Sequence, residues 1–363
     1  MNTTGNKPLT GNDIKYRGLV TNQPWSLCVG AGISSGIVPT WLELTRRVVN
    51  STFTKSYSTE EFIELTKSTQ WTLDALLQGA SNYLSSIGKP NGTFAEILET
   101  HIYGDFLEKC EKHGVKDAAI EALNSPRLLS KEQATSLYGF ISTAYNNTSL
   151  VVLAKLISQA KTKGPVSVIN FNADTLLYAA LDLYLIIDHS NNMGNFLYPK
   201  ASYQKTLRGV DSASHHVTPI FHCHGAISPK SSKSNSKKNQ DSREDLVFGE
   251  SDYLEIAGNI STWSQSLFLY HAQCSRLLII GHSMSDPNIR KWLAWSHKNS
   301  MKDISKVANT GEITPRHIWI NIEPEDQSQK LIQEMSLLHV GVRICWIDTW
   351  NDLSETLENL LAL

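Results

Sequence analysis

The chain has 363 residues, enough for one large α/β domain with an insertion or for two domains. Its 33 Lys and Arg against 35 Asp and Glu leave a formal net charge of −2, which gives no global electrostatic case for nucleic acid or an anionic membrane as partner. The five cysteines, Cys28, Cys110, Cys223, Cys274 and Cys345, include no Cys-x-x-Cys pair, and several lie in apolar runs, so a reducing cytoplasm is the expected compartment.

Residues 1–15 read as a flexible N-terminus, with no apolar segment suited to a signal peptide or a bilayer span, and a soluble domain is expected over 16–363. A short apolar run, Leu27 to Val29, then enters Gly30-Ala31-Gly32, and an amphipathic pattern starts at Trp41. The spacing predicts a buried strand, a tight glycine turn and a helix. Such a turn lets backbone amides approach a pyrophosphate at the positive end of the helix, and it serves strand-to-helix packing equally well.

Residues of about 41–160 read as a helical insertion. Trp41, Leu44, Val48 and Val49 form one apolar face, and Leu73, Leu76, Leu77 and Ala80 another. Asn91-Gly92 and Asn124-Ser125-Pro126 mark breaks between its helices. A module of this kind caps the crevice of its host sheet, forms an oligomer contact or simply supports packing.

Pro165 to Asn170 returns to strand character and delivers Asn172 and Asp174 ahead of a helix over Thr175 to Leu183, which Asp174 could cap. Leu185 to Asp188 is expected to start a further strand, followed by a polar crossing to residue 216 in which His215 and His216 carry no metal-ligand spacing. His222 and His224 in Phe221-His-Cys-His-Gly225 are expected to alternate along a strand and share one face, with Cys223 on the other, which disfavours zinc. Residues of about 228–244, rich in Ser, Lys and Asn, have the composition of a mobile loop. The run Leu277 to Ile280 ends in Gly281-His-Ser-Met-Ser-Asp-Pro-Asn288, with Pro287 suited to the first turn of a helix. His317 to Asn321 and Val342 to Ile347 supply the last strands, and Leu353 to Leu361 a terminal amphipathic helix. Four polar strand ends are thereby expected to converge on one crevice.

Gly30-Ala31-Gly32-Ile33-Ser34, Asn172-Ala173-Asp174, His224-Gly225, Gly281-His282-Ser283 and Ile320-Asn321, in this order, resemble the sirtuin superfamily, in its divergent branch found in bacterial defence proteins. The resemblance spans roughly residues 25 to 348. It implies an α/β, Rossmann-like parallel sheet with helices on both faces and an inserted helical module. It implies NAD as substrate, with cofactor-binding roles for Gly30, Ala31, Gly32, Ser34, Gly281, Ser283, Asp286 and Asn321, and Asn172 and Asp174 facing the nicotinamide ribose. By type, Asn172 suits the orienting of an attacking group and His224 the uptake of a proton; Ser34 is equally suited to capping a helix.

Three departures from the family pattern bear on the acceptor. Pro39 is followed by Thr40, Trp41 and Leu42 without the usual arginine; Phe171 stands where glutamine is usual; and the four-cysteine zinc ribbon that follows His-Gly in deacylating sirtuins is replaced by a cysteine-free loop. No zinc is expected, and water is favoured over acyl-lysine. The leading expectation is an NAD glycohydrolase, releasing nicotinamide and ADP-ribose as the effector of an antiphage defence system. The alternatives are an NAD-dependent protein deacylase and a non-catalytic nucleotide-sensing subunit. A dehydrogenase is disfavoured because Ser35 occupies the place of the third glycine of Gly-x-Gly-x-x-Gly. The resemblance further implies a homo-oligomer, regulated by a HerA-type ring ATPase or, less favoured, a short Argonaute; from the charge balance and the lack of an apolar span, no membrane and no direct nucleic-acid contact are expected.

Overall fold

The computed structural model describes residues 9–10, 17–160, 163–206, 216–231, 246–258, 262–307 and 315–363. His215 and most of the loop expected at 228–244 lie outside these residues, as does most of the 1–15 stretch.

Among the described residues, eight strands form one sheet: β1 (Leu9–Thr10), β2 (Trp25–Val29), β3 (Ser167–Asn170), β4 (Ser202–Thr206), β5 (Val217–His222), β6 (Arg276–Ile280), β7 (His317–Ile322) and β8 (Val342–Ile347). Their order is β1-β8-β7-β6-β2-β3-β5-β4, and every pairing is parallel. An all-parallel sheet needs cover on both faces, which explains why its central strands read as unbroken apolar runs. Leu27, Val29, Val168, Ile220, Leu278 and Ile280 belong to one core, while Cys28, Ile169, Phe221, Leu277 and Ile279 alternate with them into a second core on the other face.

The first core is closed by helices of the insertion, α1 (Trp41–Phe53), α3 (Leu73–Ser86), α4 (Thr93–Lys112), α5 (Lys116–Asn124), α6 (Lys131–Ala144) and α7 (Ser149–Gln159), by α8 (Leu176–Met193), and by the last helix, α13 (Leu353–Leu361), while α2 (Thr59–Thr69) packs its Phe62 with Val49 and Leu76 in a small cluster of its own. The second is closed by α10 (Trp263–Cys274), α11 (Pro287–Val307) and α12 (Gln327–Leu338); α9 (Glu250–Gly258) precedes them. Caps start the insertion's helices where the sequence carries them: Thr40 and Thr72 cap α1 and α3, and Ser58-Glu61 and Ser130-Gln133 form capping boxes on α2 and α6. The two expected breaks are present, Gly92 at φ 95° opening α4 and Asn124 closing α5.

Three expectations are modified here. Leu185 to Asp188 is not a strand but the middle of α8, a helix buried on nearly every side from Leu176 to Ile187, so its apolar run has no period to set it apart from a strand. Conversely the crossing expected to be loop contains β4, a polar edge strand whose Gln204 and Lys205 give no alternating apolar signal. Leu9–Thr10, inside the stretch expected to be loose, pairs with Cys345 and Trp346 of β8.

From β2 the chain passes to β3, then to the edge strand β4 and back to β5 between them, and it crosses to β6 on the other side of β2. The border of β2 and β6 is therefore the topological switch point, where ligands of open α/β sheets bind beyond the carboxyl ends of the strands.

Candidate active site

One cavity of about 830 Å³ opens at that switch point. It is lined by Gly30, Ala31 and Gly32 after β2, by Asn172 and Asp174 after β3, by His224 after β5, by Gly281, Ser283 and Asp286 after β6, and by Asn321 of β7. Of the residues expected to bind the dinucleotide or take part in its cleavage, Ser34 alone is not in the lining. It lies buried behind it and donates its hydroxyl to Asp174 at 3.1 Å.

The glycine turn works differently from the sequence reading. A Cβ on Gly30 would sit 2.7 Å from the Gly281 carbonyl oxygen, and one on Gly32 2.8 Å from the same atom. The two glycines let the β2 and β6 turns touch, and their amides donate across that contact, Gly30 to Ile280 O at 3.2 Å and Gly32 to Gly281 O at 2.8 Å. A phosphate is thus left chiefly the Ala31 amide at this turn, at the head of a single 3-10 turn, Ala31–Ser34, and α1 begins only at Trp41. Gly281 itself has φ +66° and no room for a side chain, its Cβ position being 2.4 Å from Ile33 N.

Asn172 is 5% exposed, and neither its carboxamide oxygen nor its nitrogen has a protein partner. Buried amides are normally paired, so an orphaned one on a cavity wall points to a ligand. Asp174 accepts the Leu176 N–H at 3.0 Å as well as the Ser34 hydroxyl, so it serves the start of α8 while facing the cavity. Burial outweighs these bonds and raises its carboxyl from 3.8 to about 6. Tyr103 of α4 ties the insertion to the same junction, taking the Thr175 N–H at 2.8 Å and donating to Ile227 O at 2.7 Å.

β5 ends at His222, so His224 stands in the following turn and the expected strand alternation stops short of it. Of these two histidines, His224 lines the cavity and His222 does not. Its ring sits edge-on to Phe171 and Tyr253, at 5.1 and 5.3 Å between centroids, and is hydrogen-bonded to the Phe171 backbone. Burial, then the nearby His282, lowers its pKa to about 4. It is neutral at pH 7, with one ring nitrogen oriented by the backbone and the other able to accept a proton.

Three wall features were not assigned from the sequence. His282, inside a recognised motif, takes the Met284 N–H on Nδ1 at 3.0 Å and stacks edge-on against Phe171; burial lowers it to about 4. Asp74 of α3 is held by the Trp41 side chain, with its pKa raised by burial and, after that, by Asp286 and Glu250. Trp41, Leu44, Ile102, Phe248 and Tyr253 make the apolar wall opposite the strand ends. A polar residue in an amphipathic helix carries no sequence sign that it faces a cavity belonging to a distant sheet. Asp286 accepts the Asn288 N–H at 2.8 Å and so also caps α11. Ser283 is exposed and bonded to Ser285. Among the described residues, no group of three or more His, Cys, Asp or Glu is arranged to hold a metal ion.

A parallel α/β sheet with a cleft at its switch point, apolar on one wall and polar at the strand ends, is the arrangement that nucleotide-binding α/β domains share. Residues 166–340, just under half of the chain, match the family model described as SIR2-like domain, and the chain carries a sirtuin-like domain. Domains of this family use NAD. The glycine turn after β2 lies ahead of the matched residues, yet β2 pairs with β3 and β6 inside them. No curated protein matches the chain.

Proposed function

We propose that this chain is an NAD glycohydrolase, cleaving NAD with water to nicotinamide and ADP-ribose. The observation that carries the reading is the orphaned, buried carboxamide of Asn172 on the same cavity wall as the neutral imidazole of His224. In the proposed reaction the bond from the ribose C1′ to the nicotinamide nitrogen breaks, and nicotinamide leaves with the bonding electrons. Water adds its oxygen to C1′, and its proton passes to His224 and on to solvent. Asn172 orients the water, and the ionised Asp174 offsets the positive charge that develops on the ribose. Ala31, Ser283 and Asn321 are the groups that would hold the rest of the dinucleotide.

The residues favour water over an acyl-lysine, since the zinc ribbon that supports an acyl-peptide platform is missing from the sequence. The resemblance to the defence branch extends the proposal to NAD depletion during phage infection, by a homo-oligomer held in check until a partner, in first place a ring ATPase, activates it.

Incubating the purified chain with NAD, with and without an acetyl-lysine peptide, tests the reaction. Equal nicotinamide and ADP-ribose, indifferent to peptide, is the expected result. Peptide-dependent O-acetyl-ADP-ribose would make it a deacylase, and tight NAD binding without turnover, with candidate partners present, a sensing subunit.

A further inference from the structure

Asn172 is held at both of its backbone polar groups by side chains from the last rung of the sheet. Asn170 and His222 are register partners across β3 and β5, and both are fully buried. Asn170 Oδ1 accepts the Asn172 N–H at 2.9 Å, and His222 Nδ1 lies 3.2 Å from the Asn172 carbonyl oxygen. An imidazole nitrogen facing a carbonyl must donate, so this contact fixes the tautomer with the proton on Nδ1.

The same two side chains each leave a buried polar atom, Asn170 Nδ2 and His222 Nε2, without a protein partner. Elsewhere on this face of the sheet the neighbouring positions, Val168 and Ile220, are aliphatic. A purely structural rung would be better served by such residues, because they bury no unpaired polar atom.

We propose that Asn170 and His222 are positioning residues, a clamp on the Asn172 backbone that fixes where its carboxamide points in the cavity. Neither residue lines the cavity, so both act through Asn172. The inference deepens the glycohydrolase reading and rests on it for its kinetic test. The side-chain nitrogen of asparagine stands at the same number of bonds from Cα as Nδ1, whereas that of glutamine stands one bond further out.

The test compares His222→Asn with His222→Gln, alongside His222→Leu, by nicotinamide release and by calorimetric NAD affinity. His222→Asn keeps most of the turnover, while His222→Gln and His222→Leu lose about a hundredfold in kcat, the scale of a misplacement of about 1 Å, with KM and NAD affinity little changed. Equal turnover in the Asn and Gln variants, or losses confined to KM, would overturn the clamp. If His222→Leu does not fold, the Asn and Gln pair decides alone. If the wild-type chain releases no nicotinamide, the glycohydrolase reading fails, and crystal structures of the Asn and Gln variants judge the clamp instead. Asn172 in its wild-type position in the Asn variant and displaced in the Gln variant upholds it, and Asn172 unmoved in both refutes it.

Discussion

Asp174→Asn should make the protein more stable at neutral pH while reducing its turnover. The carboxyl is buried, and its pKa rises from 3.8 to about 6 because burial outweighs the bonds from Leu176 and Ser34. A raised folded-state pKa means that the folded chain holds more protons than the unfolded one between pH 3.8 and about 6, so stability falls as pH climbs through that window. At about 1.4 kcal/mol for each tenfold change in proton affinity, ionised Asp174 lowers stability by about 3 kcal/mol above pH 7. An asparagine keeps the acceptor for the Leu176 N–H without the charge. Urea denaturation of both proteins at pH 4 and pH 7.5 measures the difference, and titrations common to both cancel. The variant should match wild type near pH 4 and exceed it by roughly 2–3 kcal/mol at pH 7.5. A variant less stable than wild type at pH 7.5, or a gap independent of pH, would refute the assignment of a buried, strained charge to this position.

Two further outcomes follow from the same geometry. In the kcat/KM profile, activity should fall as pH drops through about 6, where Asp174 takes up its proton, and again near 4, where His224 does; Ser34→Ala removes a donor to the carboxylate and should move the first limb upward. A single limb near 4, unmoved in Ser34→Ala, would leave the Asp174 charge without a part in the reaction. Gly281→Ala places a Cβ 2.4 Å from Ile33 N at a φ of +66°, and should lower the unfolding free energy by roughly 2–4 kcal/mol, read by denaturant midpoint, with loss of NAD affinity.

Much of this architecture was legible in the chain. Parallel strands buried on both faces leave unbroken apolar runs, and the polar residues closing those runs mark the carboxyl ends where a ligand binds. That is why the positions from Gly30 to Asn321 gather on one cavity. What escaped the reading has physical reasons. The segment from Leu185 to Asp188 is apolar all round because α8 is buried all round, and a short run of that kind has no period. β4 is a polar edge strand. The roles of Gly30 and Gly32 depend on how close Gly281 comes, a distance of fold rather than of sequence. His222 and His224 looked alike by alternation, but the strand ends between them, and of the two it is His224 that lines the cavity.

The most direct test of the central claim is nicotinamide release from NAD by the purified chain and by His224→Ala, each with its NAD affinity measured. The expected result is stoichiometric nicotinamide and ADP-ribose from the wild-type chain, alone or with its activating partner, and a loss of about a hundredfold or more in His224→Ala with affinity retained, the scale of a missing proton acceptor. Wild-type turnover in His224→Ala would contradict it.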